Sequence, residues 1–412
     1  MAEQTRRATT VVQTGADWHN VAHACDDNVD TSYAYRSAKG NSACHVNGFN
    51  FNIPSNATIS KITVGVKYYG SNSNAYLYVY LRSIASGQYI RVAEYLNKQS
   101  QTTAKYGRFD ITAAELQSYV NNNNIYNKNI INLINGGLHL RWVGSSYSSS
   151  YSSEVRIYDT FITVYYTVPY TVNFNGNGAT GGSVASFSKN VGESFTLPAN
   201  GFEKICKVTY DPNYSGSNIA TGYSSATFKG WEDHGTLTAY DGVVYTYDKF
   251  DAPFYANTYA DLFNEFAYNK QALLDHYVRY IVHGSEKRSA TGSPRGVYNQ
   301  TNVVSNLADD GGSTTLYAQW GDMSEVTLPT PTRDGYSFLG WYTSIIGGTR
   351  VGDGGASYTP TGDITLYARW INNAIKLIYL GNKVASLYLG QKPISKIFKG
   401  NTEIYYDPFA EE

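Results

Sequence analysis

A chain of 412 residues is too long for one ordinary hydrophobic core and fits two to four domains. Charged residues make up 16% and the formal net charge is -1, so no overall basic surface is offered to nucleic acid or anionic lipid. With 39 Tyr and 38 Gly, the usage is that of short strands, tight turns and amphipathic aromatic surfaces, which favours β structure and binding over catalysis.

The amino end, Met1-Ala-Glu-Gln-Thr-Arg-Arg7, leads into polar sequence without the apolar stretch of a signal peptide, and nowhere do about 18 apolar residues run together. The expectation is a protein made in the cytoplasm, not exported by the usual route and not inserted in a membrane. Cys25, Cys44 and Cys206 are an odd number and too few to staple a chain of this length, so thiols are expected.

Residues 8–167 form the first unit. Segments 59–68, 75–81, 138–143 and 155–166 alternate apolar and polar residues between Asn, Gly and Ser clusters, a period of two that buries one face of each strand. Thr112 and Glu115 make a capping box ahead of Leu116 and Val120, the mark of one short helix. This many strands with a single crossover helix predicts a jelly-roll β-sandwich. The segment 18–31, with Asp26, Asp27, Asn28 and Asp30, resembles the opening of discoidin-type and carbohydrate-binding jelly rolls, and Phe51-Asn-Ile-Pro54 before Ala57-Thr-Ile59 is similar to phage tail and fibre domains.

The middle of the chain repeats. Phe228-Lys-Gly-Trp231 is matched by Phe338-Leu-Gly-Trp341, and Thr315-Leu-Tyr-Ala-Gln-Trp320 by Thr365-Leu-Tyr-Ala-Arg-Trp370. In each copy an aromatic, a glycine and a tryptophan precede an alternating strand that ends in a second tryptophan, so Phe228, Trp231 and Trp320, and again Phe338, Trp341 and Trp370, are the predicted core of a small sheet. These residues resemble the internalin B-repeat, the Listeria-Bacteroides repeat, a small module of ubiquitin-like or grasp type found in bacterial surface proteins and in phage proteins. The resemblance runs through Tyr170-Thr-Val-Asn-Phe-Asn-Gly-Asn-Gly178 and Gly192-Glu-Ser-Phe-Thr-Leu-Pro198 in the first copy, 168–321, and begins at Val326-Thr-Leu-Pro329 in the second, 322–371.

Trp231 and Trp320 stand about three times farther apart than Trp341 and Trp370, which places an insertion of about 60 residues in the first copy, within 232–312. There, 259–282 is predicted as one helix, with Leu262, Phe263, Phe266, Leu273, Leu274, Tyr277, Val278 and Ile281 near a 3.6 period, Asn257 or Thr258 as cap and Gly284 as stop. The plain expectation is a helical brace, and a protein lacking 240–308 is expected still to fold. At the carboxyl end, Ile378-Tyr-Leu-Gly381, Leu387-Tyr-Leu-Gly390 and Ile397-Phe-Lys-Gly400 predict a β-meander over 372–412, three or four short antiparallel strands of the kind that resembles the close of phage tail and fibre proteins.

No catalytic residue is predicted. Asp26, Asp27 and Asp30 are calcium candidates by their oxygen ligands, with solvated turn carboxylates as the simpler alternative. His19, His23, Cys25, Cys44 and His45 are potential soft-metal ligands without a paired spacing, and no bound metal or cofactor is expected. Asp261, Glu265, Asp275, His276 and His283 could be cast as the acids and bases of a glycan hydrolase, but a solvated helix face accounts for them. The fold expected is mainly β: a sandwich, two repeat modules and a meander. The function expected is a structural and adhesive virion component, with other virion proteins and a host-cell surface glycan or protein as partners. It is expected to assemble as a homo-oligomer, a trimer, and to bind no nucleic acid. A capsid decoration or head fibre, and a bacterial surface adhesin, are the alternatives.

Overall fold

The computed structural model describes residues 2–14, 17–25, 33–38, 40–71, 75–83, 89–93, 103–146, 153–215, 218–373, 375–380, 383–389, 392–393, 396–399 and 402–406. Strand accounts for 47% and helix for 16%, and the protein is mainly β.

Eleven strands build the first unit: β1 Ala2–Arg7, β2 Thr10–Thr14, β3 Trp18–His19, β4 Ala34–Ala38, β5 Gly40–Asn47, β6 Thr58–Gly70, β7 Ala75–Ser83, β8 Tyr89–Ala93, β9 Lys105–Thr112, β10 Leu138–Ser146 and β11 Ser153–Thr167. One sheet runs β3-β4-β11-β6-β9, with β1 also on β11; the other runs β2-β5-β10-β7-β8. From β4 to β11 the chain changes sheet at every step except the β7-β8 hairpin, and the inner orders 4-11-6-9 and 5-10-7-8 are those of a jelly roll. Alternation explains the core directly: Leu77, Val79 and Leu81 of β7 and Leu138, Leu140 and Trp142 of β10 are buried between the sheets, which leaves Tyr76, Tyr78, Tyr80, His139 and Arg141 on the outer face.

Among the described residues two α-helices, not one, close the sandwich. Helix α1 (Ala113–Asn122) starts on the Thr112–Glu115 capping box, with Glu115 N donating to Thr112 Oγ1 at 3.2 Å and Thr112 N donating to Glu115 Oε2 at 2.7 Å. Helix α2 (Ile130–Gly137) is capped by Asn129, whose side chain accepts from Ile131 N and Asn132 N. At eight residues ending in two glycines, α2 shows too little periodic sequence to be read in advance.

The repeated sequences lie in one continuous eight-stranded sheet. Its order is Phe187–Lys189, Tyr170–Asn175, Ser313–Met323, Gly222–Asp233, Ile205–Asp211, Ile364–Asn372, Tyr336–Tyr342, Arg350–Gly352. In the first copy the opening strand, Tyr170–Asn175, lies parallel to the last one, Ser313–Met323. In the second copy the strand parallel to the last one, Ile364–Asn372, is Ile205–Asp211. The second copy therefore does not begin at Val326: its opening strand comes from inside the first copy's sequence, and Val208 and Tyr210 are buried in the second copy's core beside Trp341. The two copies are interlocked.

Each copy obeys the same local rule. Strand period puts residues three apart on opposite faces, yet Phe228 and Trp231 meet at 4.9 Å between ring centroids, and Phe338 and Trp341 at 5.5 Å. A bulge between the aromatic and the glycine makes this geometry, seen as register shifts at Phe228/Gly230 and Phe338/Gly340. Gly230 (φ +147) and Gly340 (φ +114) supply backbone conformations that side chains rarely adopt, and a Cβ would fall 2.7 and 2.8 Å from the carbonyl oxygens of Tyr298 and Gly352. Trp231 and Trp341 lie opposite Ala318 and Ala368 across the sheet, where a small side chain leaves room for the indole. Trp320 and Trp370 cap the cores, their Nε1 groups donating to Gly176 O at 2.9 Å and Pro212 O at 2.8 Å.

The insertion is helical but not one helix. Helix α3 (Ala252–Thr258) is capped by Asp251, α4 (Ala260–Phe266) ends at Ala267 with φ +47, and α5 (Lys270–His276), capped by Asn269, runs into a wider turn over Tyr277–Val282. The chain breaks because Tyr268 and Asn269 pair as a short strand with Val304 and Ser305, a tertiary pairing that overrides the apolar period. Phe250, Tyr255, Leu262, Leu273, Leu274, Tyr298 and Leu307 share one core with Tyr170, Val172 and Trp231 of the repeat frame. Lys270, 3% exposed, reaches Asp233 of the frame at 2.8 Å. The carboxyl end forms five short antiparallel strands, three in one sheet over 375–393 and two in another over 396–406; Gly381, Gly390 and Gly400 lie outside the described residues.

Candidate functional site

The outer face of the sheet β2-β5-β10-β7-β8 carries a cluster of two arginines and two histidines among tyrosines. Register sets them in two rows. Arg141 of β10 lies between His45 of β5 and Tyr80 of β7. In the adjacent row, His139 lies opposite Arg82, and Arg82 opposite Tyr89. Arg141 rests on two rings, with its guanidinium carbon 5.6 Å from the centroid of Tyr80 and 4.9 Å from that of Tyr89. Its Nε is buried without a hydrogen-bond partner, although the residue as a whole is only half-buried.

His45 and His139 are 5% and 7% exposed. Burial, followed by the nearby charges of Arg141 and Arg82, lowers the pKa of His45 to about 4, and burial with Arg82 lowers that of His139, so both imidazoles are neutral at pH 7. His139 Nε2 is 3.0 Å from Asn47 Nδ2; with the amide donating, Nε2 accepts and the ring proton sits on Nδ1.

Cations on the opposite sheet are differently placed. Arg7 bonds Asp159 at 2.9 Å, Lys61 bonds Asp110 at 2.6 Å and Arg156 bonds Glu154 at 2.5 Å. The acids considered for hydrolysis are also engaged. Asp261 takes two bonds from Arg288, at 3.0 and 2.8 Å, Asp275 accepts from Tyr240 N and Gln271 Nε2, His283 meets Asp241 at 2.9 Å and His276 Nδ1 meets the Tyr255 hydroxyl at 3.2 Å. A cleft of about 540 Å³ lies between the insertion and the frame. Its carboxylates hold backbone: Asp309 accepts from Thr238 N and Oγ1, and Asp310 from Val168 N. Glu265 is exposed on α4.

Asp26, Asp27 and Asp30, the calcium candidates, lie with Asn28 outside the described residues. The five potential soft-metal ligands are dispersed by the fold: Cys44 points into the sandwich core while His45, next along the strand, points out, and His19 stacks on Tyr35 at 5.1 Å. Among the described residues no group of three His, Cys, Asp or Glu is arranged to hold a metal. Phe228, Trp231, Trp320, Phe338, Trp341 and Trp370 all pack in or over the repeat cores. Arg141, His139, Arg82, Tyr80, Tyr89 and Asn47 are not marked as site residues by the sequence. Their signal is faint: Leu138-His-Leu-Arg-Trp142 puts a histidine and an arginine at consecutive outward positions.

Residues 306–369 match the Listeria-Bacteroides repeat domain. The matched stretch of the repeat starts just ahead of the first copy's last strand and runs to Arg369 in the second copy's last strand, so it does not contain the opening strand Ile205–Asp211. Internalin H of Listeria monocytogenes serovar 1/2a is 41% identical over 64 residues, 16% of this chain and 11% of that protein. The chain thus spans about a tenth of the length of the relative it matches. Among solved structures, the enzymatically active domain of tailspike protein 4 of Bacteriophage CBA120 aligns at 9% identity over 40% of this chain and 19% of that one, with a TM-score of 0.21. A family two carbohydrate esterase from Cellvibrio japonicus aligns at 13% identity over 46% and 44%, with a TM-score of 0.18.

Proposed function

We propose that the chain is a non-enzymatic, structural and adhesive component of a phage particle, a tail, baseplate or fibre protein that joins other virion proteins and attaches to a host-cell surface. The observation that carries the adhesive part is Arg141, a guanidinium held on the outer face of the sandwich by two aromatic rings and lacking an acceptor. A buried donor without an acceptor costs stability, and a ligand that supplied the missing partner would recover that cost. Asp241, Asp261 and Asp275 of the insertion are taken up by structural bonds, which supports binding over hydrolysis.

A bacterial surface adhesin is the second reading, favoured by the 64-residue likeness to Internalin H. Mass spectrometry and antibody-labelled electron microscopy of particles from the producing cells separate the two. Label at the tail is the expected result. Absence from particles together with label on the bacterial surface would establish the adhesin instead, and label on the capsid would make the chain a decoration or head fibre.

A further inference from the structure

Resting on that adhesive reading, we infer that the outer face of the sheet β2-β5-β10-β7-β8 binds an anionic group of the host surface, a carboxylate or a phosphate, with Arg141 as its principal ligand. The guanidinium is a planar fork of donors that matches the two oxygens of such a group. Tyr80 and Tyr89 fix its plane by cation–π contact but present ring faces, which offer no lone pair to its N–H groups. The Nε–H has no acceptor, and among the described residues no carboxylate pairs with Arg141.

The neighbours reinforce the choice of charge. Arg141, Arg82 and His139 are the charged and titratable groups that act on His45, and all of them are cationic or neutral. On the other sheet of the same sandwich, Arg7, Lys61 and Arg156 each have an acid at hydrogen-bonding distance, while Arg108 lies exposed over the Phe161 ring. Arg141 differs from Arg108 in that its Nε is buried without an acceptor, which leaves a place for an external anion. Neutral His45 and His139 each keep one ring N–H to donate to the same group.

Calorimetric titration of the full chain with an oligogalacturonate, its methyl ester and a glycerol-phosphate oligomer tests the inference and tells carboxylate from phosphate. Binding of one acidic probe, at least about 10-fold tighter than the neutral ester, is expected. Arg141→Gln should weaken that binding by about 10- to 100-fold, with Arg156→Gln on the opposite sheet leaving it unchanged. Arg141→Lys keeps the charge and loses the fork, so a several-fold loss is expected from a variant whose thermal melt matches the parent. Equal binding of acid and ester, no binding of either acidic probe, or undiminished binding by Arg141→Gln would each overturn the inference. Host-cell adhesion, measured in parallel, keeps the two readings apart: adhesion that survives Arg141→Gln defeats the anion site alone, whereas a chain that never adheres defeats the adhesive function.

Discussion

His45 shows how a single buried imidazole shapes the response to acid. Its pKa is about 4 in the folded protein against an ordinary value of about 6.5 in the unfolded chain. Between those values the unfolded chain binds a proton that the folded one refuses, so stability is lost as pH falls through about 6.5 and levels off below about 4. The full effect is about 3 kcal/mol, and His139, shifted in the same direction, adds to it. Melting temperature followed from pH 7 to pH 4 should fall more steeply for the native chain than for His45→Gln; parallel curves would place the titration elsewhere. Cys44 and His45 counted among the potential soft-metal ligands of the sequence, because spacing in a chain does not say which way side chains point. Strand parity places them on opposite faces, and only register across β5, β10 and β7 brings His45, Arg141 and Tyr80 together.

At the scale of elements, the insertion differs most from its sequence-based expectation. Its apolar period was legible, and Leu262, Leu273, Leu274 and Val278 are indeed buried. What the period could not show was the interruption at Ala267 and the pairing of Tyr268–Asn269 with Val303–Ser305, a contact between distant parts of the chain. Nor could it show that the helices complete the first copy's core instead of leaning on it. Without them, Tyr170 and Trp231 would lose part of their cover and Asp233 would lose the Lys270 ammonium, a loss that typically costs about 3–5 kcal/mol for a buried pair. Deleting 240–308 is therefore expected to unfold the first copy, contrary to the expectation from sequence; retained near-ultraviolet circular dichroism and protease resistance in that variant would show the frame to be self-sufficient.

For the whole molecule, the decisive feature is the parallel pairing of Ile205–Asp211 with Ile364–Asn372. The Phe-x-Gly-Trp and Thr-Leu-Tyr-Ala-x-Trp motifs announced two copies, since bulge and alternation demand particular residues. Val208-Thr-Tyr-Asp-Pro-Asn213 repeats the valine, the aromatic and the final asparagine of Val172-Asn-Phe-Asn-Gly-Asn177, yet the second opening strand stayed hidden because it sits where the first copy was expected to be uninterrupted. A fragment covering 322–373 lacks that strand and should remain unfolded by amide nuclear magnetic resonance, while the same fragment preceded by 204–215 on a glycine linker should give dispersed resonances. Dispersed resonances from 322–373 alone would mean the second copy is independent.

Ordinary tandem modules gain or lose a unit whenever recombination cuts at a join. Here every cut between the two Phe-x-Gly-Trp motifs separates Ile205–Asp211 from the partner it pairs with, so the copies can be inherited, exchanged or lost only as a couple. The length of this part of the protein should then change between related genes in steps of two copies, never one.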